Sequence, residues 1–167
     1  MTHPAANLLL LALLPACTPG AERPAPVPPP AIIATTPEPY QQPTRILDAD
    51  AARRLIANKG VTLQWLDWNT RGTATVTQDQ GIWHMRAAQA QAGGPGRLWL
   101  DGDITEIGAD YFTFEGTIRI KDTPDAGRLC EKRKTWHFAV TQNRPYWRLR
   151  EFEWCDGLTD YIDIYFQ

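Results

Sequence analysis

The 167-residue chain contains no serine, and that absence excludes every serine-nucleophile mechanism. Cysteine is scarce, with only Cys17, Cys130 and Cys155. Histidine is limited to His3, His84 and His137, which are scattered along the sequence. No glycine-rich phosphate loop lies between a strand and a helix; Gly93-Gly94-Pro95-Gly96 reads as a turn between strands. No apolar run reaches the ~20 residues needed to cross a bilayer as a helix. A formal net charge of -2 gives no basic footprint for nucleic acid, and no such partner is expected. No spacing of Cys and His matches a zinc pattern, so neither a metal nor another cofactor is expected.

The first feature that is present is a short apolar segment over residues 8–14, followed by Pro15, Ala16 and Cys17. Its length suits the apolar region of an export signal, with small residues before a cut. Leu14-Pro15-Ala16-Cys17 resembles the lipobox of a bacterial lipoprotein signal peptide. Two features depart from that pattern: Met1-Thr2-His3 has no Lys or Arg, and Pro15 is unusual inside the box. The resemblance implies cleavage after Ala16, so that residues 1–16 are a signal peptide. It also implies acylation of Cys17 and a membrane anchor of more than one chain, which holds firmly. Thr18 rather than Asp after the cysteine points to the outer membrane, facing the periplasm. The other reading is an ordinary export signal with Cys17 as a stray thiol.

Residues 17–44 form a second segment. Nine of the chain's 14 prolines fall between Pro19 and Pro43. Such a stretch favours extended polyproline II and serves as a semi-rigid spacer. It reads as a tether, with a proline-binding partner as the alternative.

Residues 45–167 read as one all-β domain with a short N-terminal helix. Asp48 or Asp50 is placed to cap a helix through Ala51, Ala52, Leu55 and Ile56, ending near Gly60. Strand patterns then follow over 61–68, 73–77, 82–87, 98–107, 111–120, 130–140, 146–155 and 161–166. Short turns join several of them, which predicts an antiparallel meander. Eight strands can close into an up-and-down barrel and remove the sheet edges. A loop at 108–110 sets Gly102 opposite Gly116, as a sharply bent corner needs. A turn at Gln142-Asn143 predicts the pairs Phe138–Trp147, Trp136–Leu149, Lys134–Glu151, Lys132–Glu153 and Cys130–Cys155. That register joins Cys130 to Cys155 as a disulfide, which requires an oxidising compartment and agrees with export. The helix and tryptophan-bearing first strand are similar to lipocalin and avidin-type barrels. The likeness is architectural, since Gly60 is followed by Val61-Thr62 rather than by tryptophan.

Candidate chemistry is sparse. Asp101 with Asp103, and Glu151 with Glu153, share strand faces and could serve a carboxylate-dependent hydrolase. Lysines opposite the glutamates make structural pairing the simpler reading. The other face of the 130–155 hairpin gathers Arg133, His137, Arg148 and Arg150 as a candidate anion site. Asp160 and Asp163 on the next strand could neutralise it instead. Trp65, Trp83 and Trp136 are assigned inward positions, where they either line a ligand pocket or fill the core.

Three functions follow. The first is a non-enzymatic envelope lipoprotein binding a small apolar or anionic ligand in or at the mouth of the barrel. The second is a protein-binding, structural or inhibitory module of the envelope, and the third is a hydrolase. An open interior beyond Trp65, Trp83 and Trp136 favours the first. A filled core with Trp99 and Trp154 exposed favours the second.

Overall fold

A computed structural model describes residues 42–167; the predicted signal, Cys17 and nearly all of the predicted linker lie outside the described residues. The expected barrel is observed. Eight antiparallel strands form it, each paired with its neighbours in sequence except that the first of them pairs with the last instead of with the second. The strands are β2 (Val61–Leu63), β3 (Thr73–Asp79), β4 (Ile82–Ala90), β5 (Arg97–Ile107), β6 (Tyr111–Lys121), β7 (Leu129–Ala139), β8 (Tyr146–Leu149) and β9 (Ile162–Tyr165). Between β2 and β3 the sheet is closed only by a single bridge, Val61 to Gly72. A buried side chain reinforces this seam. Gln89 accepts a hydrogen bond from the Leu63 N–H and donates to the carbonyls of Asp67 and Thr70.

The helix α1 (Ala49–Ile56) starts where Asp48 accepts a hydrogen bond from the Ala51 N–H at 2.7 Å. Its apolar stripe, Ala51, Ala52 and Leu55, is buried in the barrel core. Arg54, on another face, donates to the Ala109 carbonyl and lies over the Trp147 and Phe166 rings.

Alternation along β4–β7 sends one set of side chains inward and the other outward. The inward set fills the barrel. Trp136, Trp147, Phe112, Phe114 and Phe138 are fully buried, with Phe112 stacked on Phe138 and edge-on to Trp147. Gly102 faces Gly116, as expected, and a Cβ on either would strike the neighbouring strand. The Phe114 ring occupies the space left by these two glycines. The Gly116 carbonyl accepts the Trp136 indole N–H.

Four details differ from the sequence reading. The strand expected over 61–68 stops at Leu63, where the chain turns and Leu66 N–H bonds back to the Leu63 carbonyl. A two-residue strand, β1 (Arg45–Ile46), runs parallel to β5 beside a bulge between Ile104 and Glu106. The 141–144 turn forms as expected, with positive φ at Gln142 and Asn143. Beyond it the β7–β8 register is offset by two residues, pairing Phe138 with Leu149 and Ala139 with Arg148. Two extra residues sit on the β8 side beside Pro145, which has no N–H to give the ladder. A two-residue offset preserves which face each side chain takes, so Trp147 and Leu149 still point inward.

The fourth difference is that β8 ends at Leu149 instead of continuing to Cys155. Arg150 N–H still reaches the His137 carbonyl, but His137 N–H donates to the Glu151 carboxylate instead of to a strand carbonyl. The chain then leaves the ladder. Cys155 returns to Cys130 as a disulfide, with Sγ atoms 1.98 Å and Cα atoms 5.9 Å apart.

Candidate functional site

The outward set on β3–β7 forms cross-strand rows. One row runs Thr77, His84, Asp103, Glu115, Thr135, and the next runs Thr75, Arg86, Asp101, Thr117, Arg133. Two adjoining clefts open on this outer face. The larger, about 500 Å³, lies between the strands and the incoming chain at Gln42, Pro43 and Arg45. The smaller, about 330 Å³, shares Ile82, Asp103 and Arg133 with it.

Local chain chemistry builds the larger cleft. Thr44 staples the incoming segment to the barrel: its N–H bonds the Gly81 carbonyl, and its hydroxyl donates to the Ile104 carbonyl while accepting from Trp83 N–H. Arg45 pairs with Glu106 at 2.7 Å. The β5 bulge re-aims the side chains around Thr105, whose hydroxyl lies 2.5 Å from that of Thr113.

In the smaller cleft, His84 Nδ1 lies 2.7 Å from Asp103 Oδ1, and Nε2 lies 3.4 Å from Asp101 Oδ1. Arg86 Nε donates to Asp101 at 2.9 Å. Both aspartates that could have served a hydrolase are thus engaged by basic neighbours. Glu151 is likewise engaged by the His137 ring and by Lys134, 3.7 Å away. Burial works to raise the Glu151 pKa, but hydrogen bonds from the His137 ring and N–H outweigh it and hold the carboxyl below its ordinary range.

The sequence-derived basic group is not one site. Arg133 alone lines the clefts. His137 is occupied by Glu151. Arg148 is clamped by both carboxylate oxygens of Asp163, which is fully buried, and lies 4.2 Å from the Tyr161 ring centre. Burial pushes the Asp163 carboxyl up, while its hydrogen bonds push the Arg148 guanidinium up. The Arg150 guanidinium lies 5.9 Å from the centre of the Phe152 ring. The tryptophans do not line a common pocket either. Trp83 and Trp136 belong to the core, and Trp65 packs against it with its indole N–H on Asp160.

Sequence reasoning missed the most heavily bonded cation among the described residues, Arg128. Its guanidinium donates to both oxygens of Asp156 and both oxygens of Asp160, and to the Thr123 carbonyl. Asp156, an exposed residue, is pulled down to about 2 by the hydrogen bonds from Arg128. Arg128 stands in a turn before β7, and its partners come from a loop 28 and 32 residues away, so no local periodicity marks it. Asp156 also approaches Cys130 and Cys155, but the two sulfurs are bonded to each other and cannot act as thiolate ligands.

These features define a small antiparallel barrel with a packed interior and a charged, cleft outer face. Residues 43–166 match the PM1083 family, and the chain belongs to that family. A protein of Pasteurella multocida (strain Pm70), described as uncharacterized protein PM1083, is 34% identical over 115 residues, which is 68% of this chain and 74% of that protein. No solved structure matches.

Proposed function

We propose that this chain is a lipid-anchored protein of the bacterial envelope whose barrel is a non-catalytic binding module. Its recognition surface is the outer face of β3–β7 rather than the barrel interior. The observation that carries this reading is the contrast between a core filled by Trp136, Trp147, Phe112, Phe114 and Phe138 and two clefts outside it that share Arg133. The lipobox-like Leu14-Pro15-Ala16-Cys17 and the proline-rich segment behind it support the anchor, and the Cys130–Cys155 bond suits an oxidising compartment.

The test is native mass spectrometry of the full-length protein extracted from its own envelope, beside an Arg133→Ala variant. A small molecule retained by the first and lost by the second supports the reading. A protein chain held at fixed stoichiometry supports a second reading, a protein-binding module. That reading is favoured by Trp68 and Trp99, exposed at 43% and 38%, though Trp154, which it also expected to be exposed, is half-buried edge-on to Trp136. A chain that arrives bare overturns both.

A further inference from the structure

Five charged side chains line the larger cleft: Arg45, Asp103, Glu106, Glu115 and Arg133. Arg45 and Glu106 satisfy each other, and Asp103 lies against His84. Among the described residues, the Glu115 and Arg133 side chains make no hydrogen bond or ion pair. They are of opposite sign and stand on adjacent strands. Glu115 faces Thr135, and Arg133 faces Thr117, which makes the two a diagonal pair. Diagonal positions lie about 7–8 Å apart, within reach of long side chains. Among the described residues the two charges are nevertheless unpaired, each available to a separate ligand group.

We infer that this cleft binds a small zwitterion: an amino acid or short peptide with both ends free, its carboxylate on Arg133 and its ammonium on Glu115. This rests on the reading of the outer face as the recognition surface. A guanidinium offers a planar fork of N–H donors that matches a carboxylate, and a lone carboxylate suits an ammonium. A volume of about 500 Å³ holds a few residues. With three carboxylates and two guanidiniums around it, the cleft disfavours a polyanion, and its charged lining disfavours an apolar molecule. The apolar or anionic ligand expected from the sequence is thereby replaced by one carrying both charges.

The test uses the full chain in detergent micelles with three probes followed by calorimetry. Alanyl-alanine carries both charges, N-acetyl-alanyl-alanine only the carboxylate, and alanyl-alaninamide only the ammonium. Alanyl-alanine should bind at least fivefold more tightly than either capped form. Arg133→Gln should cut its affinity by a similar factor while leaving alanyl-alaninamide unchanged. Glu115→Gln should do the reverse, leaving the acetylated probe unchanged. Both side chains are exposed, so neither substitution threatens folding. Equal binding of the three probes, or binding of none, overturns the inference. If the envelope-extracted protein still carries a molecule that Arg133→Ala releases, the outer-face reading survives that failure.

Discussion

Gly102 and Gly116 oppose each other at the centre of the β5–β6 ladder, and the ring of Phe114 fills the space their missing side chains leave. The two backbones approach so closely that a Cβ on Gly116 would lie 2.5 Å from the Asp101 carbonyl oxygen. This pinch sits beneath the outer face, where Asp101, Asp103 and Glu115 flank it. Gly116→Ala should therefore destabilise the barrel by about 1–3 kcal/mol through overpacking. Urea unfolding should show a lower midpoint with an unchanged slope. An unchanged midpoint would mean that the strands separate at no cost.

Arg128 ties the 150–161 loop to the barrel through Asp156 and the fully buried Asp160. Replacing it with Leu leaves the Asp160 carboxylate with the Trp65 indole N–H as its remaining side-chain partner. Removing one partner of a buried pair costs about 3–5 kcal/mol. Arg128→Leu with Asp160→Leu should recover part of that loss, because the uncompensated charge goes too. Thermal unfolding of the single and double variants measures the difference.

The same clamp has a pH signature. Asp156 is held at about 2, below its ordinary 3.8, so its contribution is complete above the ordinary value and fades as pH falls from about 4 towards 2. Melting temperatures across that window should fall more steeply for the native chain than for Asp156→Asn. Parallel curves would show that the Asp156 hydrogen bonds do not persist in solution.

The Cys130–Cys155 bond closes a separation of 25 residues, for which loop entropy assigns roughly 3 kcal/mol. A reductant should lower the melting temperature by about 10 °C in a domain of this size. Free thiols in protein taken directly from the envelope would contradict the bond.

Replacing Cys17 with Ala should move the protein from the membrane pellet to the soluble envelope fraction. Unchanged sedimentation would refute lipidation at that position.

Much of the architecture was legible because it depends on short-range alternation. The β5–β6 pairing and its glycine corner follow from Leu98, Leu100, Gly102 and Ile104 set against Phe112, Phe114, Gly116 and Ile118. The β7–β8 hairpin was legible only in part. Its turn and inward faces follow from Gln142-Asn143 and from Phe138, Trp147 and Leu149. Its register does not, because insertions beside Pro145 conserve the alternation and leave no trace in the pattern. Of the site, Arg133 was visible as an outward cation. The cleft around it was not, since it depends on a bulge at Thr105 and on Thr44 bonding three partners distant in sequence. The grouping of Arg133 with His137, Arg148 and Arg150 failed for a similar reason. Asp163 takes Arg148, as its place on the next strand suggests, and Glu151 takes His137 because the chain leaves the ladder after Leu149.

The seam between β2 and β3 is the thinnest joint in the sheet between neighbouring strands. Two backbone hydrogen bonds between Val61 and Gly72, with the Gln89 amide beside them, do the work that long ladders do between β3 and β7. A cylinder joined so sparsely along one line has a preferred place to unzip. The first backbone amides to exchange with heavy water should be those of 61–72, well before those of β5 and β6. An unzipped β3 would present a bare edge, so crowding many copies of this chain together invites strand exchange between neighbours along that one line.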